Sequence, residues 1–390
     1  MTDEHPAAPS ARDRVGEVAR VFVRLGVIGF GGPAAHIAMM RADVVRTRQW
    51  VDDAEFLELV GATNLVPGPN STELAIHLGH RRAGARGLVV AGLCFILPAV
   101  AIVSVLAWLY ERYGTDPAVI DLRYGILPVI IAIVVHALYG LGRTALTSAM
   151  PILVTAASLA AYLADVHELL ILVVAGAVGA TWHRWNERPP RVPRRRASVG
   201  LLGLPVFADP DRAPAAVSLW RLGLVFLEIG SVLYGSGYVL LAFMQRHLVD
   251  DLGWLTGQQL LDAIAVGQIT PGPVFTTATF VGWQVDGPLG ATIATVGIFA
   301  PSFVFVALLG RIVPWMRARP TAKAFLAGVT AASLGLMAGV LVQLVDVALV
   351  DPLTVVLAVA ALVALVRTKL DAAWLVVIGV GIGVIHLVAS

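Results

Sequence analysis

The chain has 390 residues, 58% of them hydrophobic and only 14% charged, with a formal net charge of +2. An ordinary soluble domain carries about 25% charged residues. A soluble protein of this length cannot hide so much apolar surface, so the composition excludes a soluble enzyme, a disordered chain and a nucleic-acid binder.

Mean hydropathy is +0.81, and a polytopic helical membrane protein is indicated. The lone cysteine, Cys94, excludes a disulfide framework, thiolate metal sites and dithiol redox chemistry. No cofactor or metal is expected. The N-terminus is polar as far as Arg24. No short apolar segment with a cleavage site follows it, so a cleaved signal peptide is not expected.

Apolar runs long enough to cross a bilayer occupy 22–40, 87–109, 125–141, 149–164 and 169–182. After a gap come 219–244, 289–312, 324–349, 354–366 and 373–388. Two less regular stretches, 53–79 and 259–283, are each cut by Pro-Gly-Pro and read as broken helices. The gap at 183–216 opens with Arg184, Arg188, Arg191, Arg194, Arg195 and Arg196 against Glu187. It reads as a cytoplasmic loop obeying the positive-inside rule. It divides the chain into an N-terminal membrane half, 1–182, and a C-terminal one, 217–390.

The halves are copies of each other. Shifted by 204 positions, Gly26 meets Gly230, Gly31 meets Gly235, Trp50 meets Trp254 and Pro67-Gly68-Pro69 meets Pro271-Gly272-Pro273. After one deletion Gly84, Gly87 and Pro98 meet Gly287, Gly290 and Pro301. A register held this long marks a duplication.

Equivalent loops carry opposite charge bias. Arg41, Arg46 and Arg48 outweigh Asp43, whereas their counterparts are Arg246 against Asp250 and Asp251. Arg81, Arg82 and Arg86 correspond to Asp286, while the acidic 111–123 region corresponds to Arg311, Arg317, Arg319 and Lys323. The positive-inside rule then makes the halves inverted relative to each other. The expected fold is an all-α polytopic membrane protein of two inverted homologous halves. Each half has about five full spans plus a re-entrant helical hairpin broken at Pro-Gly-Pro. That count puts the N-terminus outside.

Two breaks per half carry the chemistry. One is Gly29-Phe30-Gly31-Gly32-Pro33, matched by Tyr234-Gly235-Ser236-Gly237. The other runs from Asn64 through Pro67, Gly68, Pro69, Asn70 and Ser71 to Thr72, matched by Gln268, Thr270, Pro271, Gly272, Pro273 and Thr276. In hydrocarbon, broken backbone persists where it lines a site or is covered by protein. The residue after each Pro-Gly-Pro starts a half-helix whose first N–H groups lack intrahelical acceptors and whose dipole adds positive potential. Two such tips brought together near the midplane suit a small anion. The structural alternative is a tight hinge.

Ionisable residues lie beside the breaks. Arg24 is a candidate to neutralise the anion, and Glu73, His36 and Glu228, which takes the position of Arg24 in the second half, are candidates to exchange a proton. Arg24 snorkelling to the interface and Glu73 capping its own helix are the alternatives.

The segments FVRLGVIGFGGPAAHIA, NLVPGPNSTELAIHLGHRRAGARG and GQITPGPVFTTATFVGWQVDGPLGATIATVGIFAPS resemble the two halves of the chromate ion transporter family, in its long-chain form. The resemblance covers nearly the whole chain and is strongest in 22–98 and 226–302. It implies export of chromate across the bacterial cytoplasmic membrane, driven by the membrane potential or proton gradient, with sulfate as a competitor. It places the family's Gly-Gly-Pro on Gly31, Gly32 and Pro33 and its Pro-Gly-Pro motifs on 67–69 and 271–273. The second half departs from it at Tyr234-Gly235-Ser236-Gly237.

Energetics agree with export. A dianion leaving a cell with an interior at −100 mV gains about 4.6 kcal/mol, enough for a gradient of about 10³. No phosphate-binding loop for ATP is present in the sequence. The partners expected are chromate, sulfate as a possible second substrate and the bilayer, with a homodimer left open. The alternatives are an oxyanion importer coupled to cations and, from another class, a membrane chromate reductase. The second is disfavoured for want of a redox centre.

Overall fold

The computed structural model describes residues 11–30, 32–114, 117–186, 218–233, 239–368 and 372–389. Among them there are fourteen α-helices and no strand. The first seven are α1 (Ala11–Ile28), α2 (Gly32–Arg41), α3 (Asp53–Thr63), α4 (Asn70–Tyr113), α5 (Pro117–Ala145), α6 (Ala149–Leu163) and α7 (Glu168–Asn186). Their counterparts are α8 (Leu219–Val232), α9 (Leu240–Met244), α10 (Gly257–Ile269), α11 (Thr277–Arg317), α12 (Pro320–Ala348), α13 (Pro352–Arg367) and α14 (Ala372–Ala389). A π-helical turn follows both α2 and α9, at Ala42–Thr47 and Gln245–Asp251. The sequence repeat is thus a repeat of seven elements.

α4 and α11 are each bent double. Gly84 has φ +62° and Gly287 φ +53°, a region that costs a residue with a Cβ. A Cβ added to Gly79 would collide with Gly87 and Ala91, which a straight helix would hold about 12 and 18 Å away. Gly282 faces Gly290 and Ala294 in the same way. The chain therefore enters along α3, turns at Pro-Gly-Pro, leaves along the first limb of α4 and crosses along the second. This is the expected re-entrant hairpin, and α10 with the first limb of α11 repeats it.

The run at 22–40 is not one crossing. His36 reaches the Gly29 carbonyl at 2.9 Å, Arg24 meets Asp43 at 2.6 Å and Glu17 meets Arg48 at 3.3 Å. As one number falls the other rises, so α1 and α2 lie antiparallel as a second hairpin, with its turn at Gly29–Pro33. The start of α1 consequently sits among Arg48 and Arg82, on the arginine-bearing face, and not on the opposite face that an external N-terminus required. α7 ends on the arginine-bearing face, with His183 and Arg184. α8 begins on the other face, and the rest of the proposed linker lies outside the described residues.

Helix directions establish the inversion without counting crossings. Gly335 packs on Thr155 and Ser158, and Gly339 on Tyr162, so α6 runs parallel to α12. The short turn at 146–148 makes α5 antiparallel to α6. The equivalent helices α5 and α12 therefore run in opposite directions. The last helices of each half pack on the other half: α6 and α7 on α12, α13 and α14 on α5. Small residues allow this approach, as Gly179 and Gly328 do between α7 and α12 and Gly125 and Gly379 between α5 and α14.

α4, α5, α11 and α12 are long and apolar enough to cross a membrane, and α6, α13 and α14 contain shorter apolar helices. Val89, Leu93 and Leu97 form an exposed apolar stripe on α4, as Val355, Val359 and Val363 do on α13. Such faces suit lipid tails, and the chain is a multi-pass membrane protein.

Candidate functional site

The two Pro-Gly-Pro tips meet Gly29 and Leu233, the residues at the ends of α1 and α8. In Pro-Gly-Pro only the glycine has an N–H to donate. Gly68 donates to the Leu233 carbonyl at 2.8 Å, and Gly272 donates to the Gly29 carbonyl at 2.7 Å. Gly68 corresponds to Gly272, and Gly29 to Leu233. Each re-entrant tip is therefore tied to the turn of the other half's first hairpin, and the two bonds are related by the internal pseudo-symmetry. Gly68 has φ +135° and Gly272 φ +93°. At both positions glycine is required by the backbone and by the crowding: Glu73 and Ser302 lie over Gly68, and Ala99 and the Gly26 carbonyl over Gly272.

Pro69 and Pro273 are extended and end the approach to the half-helices. Thr72 and Glu73 donate their N–H groups to the Pro69 carbonyl, and Thr276 donates to that of Pro273. The N–H groups of Asn70 and Ser71, at the first turn of α4, have no acceptor within the helix.

The surroundings of the two tips differ. Thr72, Glu73 and Ser302 are fully or almost fully buried. The Thr72 and Ser302 hydroxyl oxygens and both Glu73 carboxyl oxygens make no hydrogen bond among the described residues. His36 completes this side. Its Nε2–H donates to the Gly29 carbonyl, which leaves Nδ1 to accept the Ser71 hydroxyl at 3.2 Å. A continuous path thus runs from Gly272 through Gly29 and His36 to Ser71.

Around the second tip the hydroxyls are spent locally. Thr276 donates to Pro273, Thr277 to Val274 and Thr270 to Val266. Thr277 occupies the position of Glu73, and Ala99 that of Ser302. The unpartnered polar groups therefore gather at the first-half tip, while Gln268, whose side-chain nitrogen also makes no hydrogen bond among the described residues, lines the second.

The structure brings Pro67, Gly68, Pro69, Ser71, Thr72, Glu73 and His36 together with Pro271, Gly272 and Pro273. Asn70 turns outward and bonds to Asn64 at 2.6 Å. Gly32 begins α2 with φ +74°, beside Pro33. Gly31, Gly235 and Gly237 lie outside the described residues. Arg24 and Glu228 are away from the tips, on the flanks of the two first hairpins. Arg24 pairs with Asp43, and Glu228 faces His247 at 3.7 Å.

Two participants escaped the sequence reading, Leu233 and Ser302. The alignment of the halves carried a signal for Ser302, since it sets a serine beside a repeated proline where the first copy has Ala99.

Among the described residues the tips are closely packed in this conformation, with Ser71, Thr72, Thr276 and Ser302 all buried. The cavity at the second tip, against Leu240, Met244, Gln268 and Thr277, has about 10 Å³, room for no more than one water.

Inverted repeats joined at broken helices near the centre of a bundle define a secondary-transporter architecture. The family pattern described as chromate transporter matches residues 16–180 and again 220–384, one match per half. The chain is 32% identical over 337 residues to a probable chromate transport protein of Synechococcus elongatus, covering 84% of each chain. It is 30% identical over 360 residues to a chromate transport protein of Cupriavidus metallidurans, covering 90% of this chain and 88% of that one. A chromate transport protein of Pseudomonas aeruginosa is 30% identical over 348 residues, 84% of this chain and 80% of its own. No solved structure matches. The chain belongs to the chromate transporter family.

Proposed function

We propose that this protein exports chromate across the bacterial cytoplasmic membrane, with the membrane potential as the main driving force. The 1–182 and 217–390 halves rock about their paired tips, and the arginine-bearing face, with the His183–Arg184 end of α7, lies in the cytoplasm. The anion binds where the first turn of α4 presents its N–H groups, Ser71 and Thr72, in the company of Glu73, Ser302 and the facing Pro271–Pro273 turn. The observation that carries this reading is the set of buried hydroxyl and carboxyl groups without hydrogen-bond partners around Gly68. Buried polar groups are nearly always satisfied, and exceptions cluster where a ligand completes them. The closed conformation opens for the anion when the two hairpins of one half part.

Arg24 neutralises the anion in this reading only if its bond to Asp43 is released during the cycle. His36, bonded at both nitrogens, holds the two tips in register. Glu73 carries a proton when the dianion is present, because two like charges cannot share one half-helix tip.

The test is flux of labelled chromate and sulfate in proteoliposomes under imposed potentials and pH gradients. Wild type, Arg24→Ala, Asn70→Ala and Ser302→Ala are compared. Movement of chromate toward the positive side, lost in Ser302→Ala, supports the reading. Flux driven only by an inward cation gradient moves the assignment to an oxyanion importer. Reduction of chromate by the purified protein moves it to an enzyme.

A further inference from the structure

The first half ties its first hairpin with Arg24 and Asp43, 2.6 Å apart. The residues 204 positions on are Glu228 and His247, and they also face each other, at 3.7 Å. The second half keeps the tie with its charges exchanged. A guanidinium that is always charged and a carboxylate become a carboxylate and an imidazole that titrates.

A third group joins only the second tie. Glu168 opens α7, in the first half, and its Oε1 lies 3.2 Å from Nε2 of His247. Glu168 is fully buried. Neither of its carboxyl oxygens, nor Nε2 of His247, has a hydrogen bond among the described residues. The groups are within ion-pair reach, yet among the described residues no arginine or lysine pairs with either glutamate.

The neighbouring charges do not supply what is missing. Arg246, on the same π-helical turn as His247, is spent on Asp165 at 2.9 Å and Asp251 at 3.3 Å. Asp251 also approaches Nδ1 of His247, at 3.8 Å. Asp250 accepts from Gln245. His167, before α7, packs edge-on against the His247 ring at 6.1 Å and brings Nδ1 to 3.9 Å from Glu168 Oε2, but that nitrogen accepts the Leu169 N–H at 3.3 Å. Arg221 on α8 acts on His247 only through its field. Tyr162 on α6 donates to Gln343 on α12. With His247 neutral and both glutamates ionised, two negative charges flank His247, Glu168 fully buried and Glu228 partly so. One proton, on the imidazole or on Glu168, relieves this.

We propose that Glu168, His247 and Glu228 form a binding site for one exchangeable proton, which clasps α7 of the first half to the first hairpin of the second. The site lies at the start of α7, on the acidic face opposite that of Arg48 and Arg82, so the proton comes from that side. In the deprotonated state the like-charged glutamates push the hairpin from α7. In the protonated state the clasp closes. The first-half hairpin, tied by Arg24 and Asp43, carries no imidazole in its tie. Proton binding stands apart from the proposed transport, and only its effect on flux rests on that reading.

The direct test is infrared difference spectroscopy of the full chain in lipid across a pH series. The protonated-carboxyl stretch of wild type should contain one titrating component assigned to this cluster. Glu168→Gln should lose that component. His247→Lys, which fixes a positive charge beside Glu168, should lose it as well by keeping the carboxylate ionised. A titration unchanged in either variant, each purified as a monodisperse protein, overturns the proposal. In proteoliposomes the dependence of chromate flux on pH at the acidic face should flatten in Glu168→Gln. Absence of chromate flux in wild type would count against the proposed transport and leave the spectroscopic result standing.

Discussion

Glu73→Gln gives the sharpest test of how charge moves with the substrate. The Glu73 carboxyl curls over Gly68 at the first turn of α4, buried and without a hydrogen-bond partner among the described residues. An anion accepting from the Asn70 and Ser71 N–H groups would sit within about 5 Å of it, one helical turn. At an effective dielectric of about 20, a dianion and a carboxylate at that distance repel by about 7 kcal/mol. The carboxyl must therefore be protonated while the dianion is bound, and a site ionised when empty takes that proton up with the anion. Wild type then moves a net charge of −1 per cycle, and 100 mV sustains a chromate gradient of about 50-fold with no pH difference. Glutamine needs no proton, so the variant moves −2, and the limit rises to about 10³-fold. The assay is the steady-state accumulation ratio of labelled chromate in proteoliposomes at clamped potassium diffusion potentials. Equal slopes of the logarithm of that ratio against potential in wild type and variant would refute the reasoning.

Other expectations follow from the same geometry. Gly68→Ala places a Cβ against Glu73 and Ser302 at a positive φ and should abolish chromate flux, whereas Gly61→Ala, with open space around its Cβ, should leave both flux and yield intact. Gly87→Leu should prevent accumulation of folded protein, because the limbs of α4 touch backbone to backbone there, as size-exclusion profiles from membranes would show. Arg24→Ala should reduce thermal stability by no more than about 1 kcal/mol, since its guanidinium is more than half exposed. If the role of Arg24 is only to tie the hairpin, the exchanged pair Arg24→Asp with Asp43→Arg should transport as wild type does. Glu17 is pushed up by burial but more strongly pulled down by hydrogen bonds from Arg82, Trp50 and Arg48, so its carboxyl stays below the usual glutamate value. Its contribution is complete above the unfolded-state value and is lost as pH falls through the lower folded one, so Glu17→Gln should weaken the acid dependence of melting.

Much of this arrangement is legible in the amino-acid order because duplication writes the same backbone demands twice. The Pro-Gly-Pro pairs at 67–69 and 271–273 and the turns at Gly84 and Gly287 recur in register, and each proves to be a place where the chain must reverse. The doubling of α1 on α2 is harder to see. The 22–40 run is apolar enough to cross a bilayer, and hydropathy reports composition but not direction. Only long-range partners disclose the reversal, with Glu17 at Arg48 and Arg24 at Asp43. The same pairing sets a second role for Arg24 beside the anion-binding one. Its carboxylate partner stands nineteen residues on, where hydropathy gives no sign of it. Lining Asp43 up with His247 already exchanges the signs of that pair, a clue available without coordinates. The lack of symmetry at the tips, Glu73 against Thr277 and Ser302 against Ala99, is likewise written in the alignment, but its meaning depends on burial.

The crossed bonds from Gly68 to Leu233 and from Gly272 to Gly29 have a consequence for ancestry. A single copy translated alone would carry a tip whose one donor finds no acceptor in its own chain. It would complete itself only by meeting a sister molecule threaded through the bilayer upside down. Fusion into one polypeptide secures that meeting at synthesis, and it frees each copy to specialise, one keeping the acid at its tip and the other giving it up.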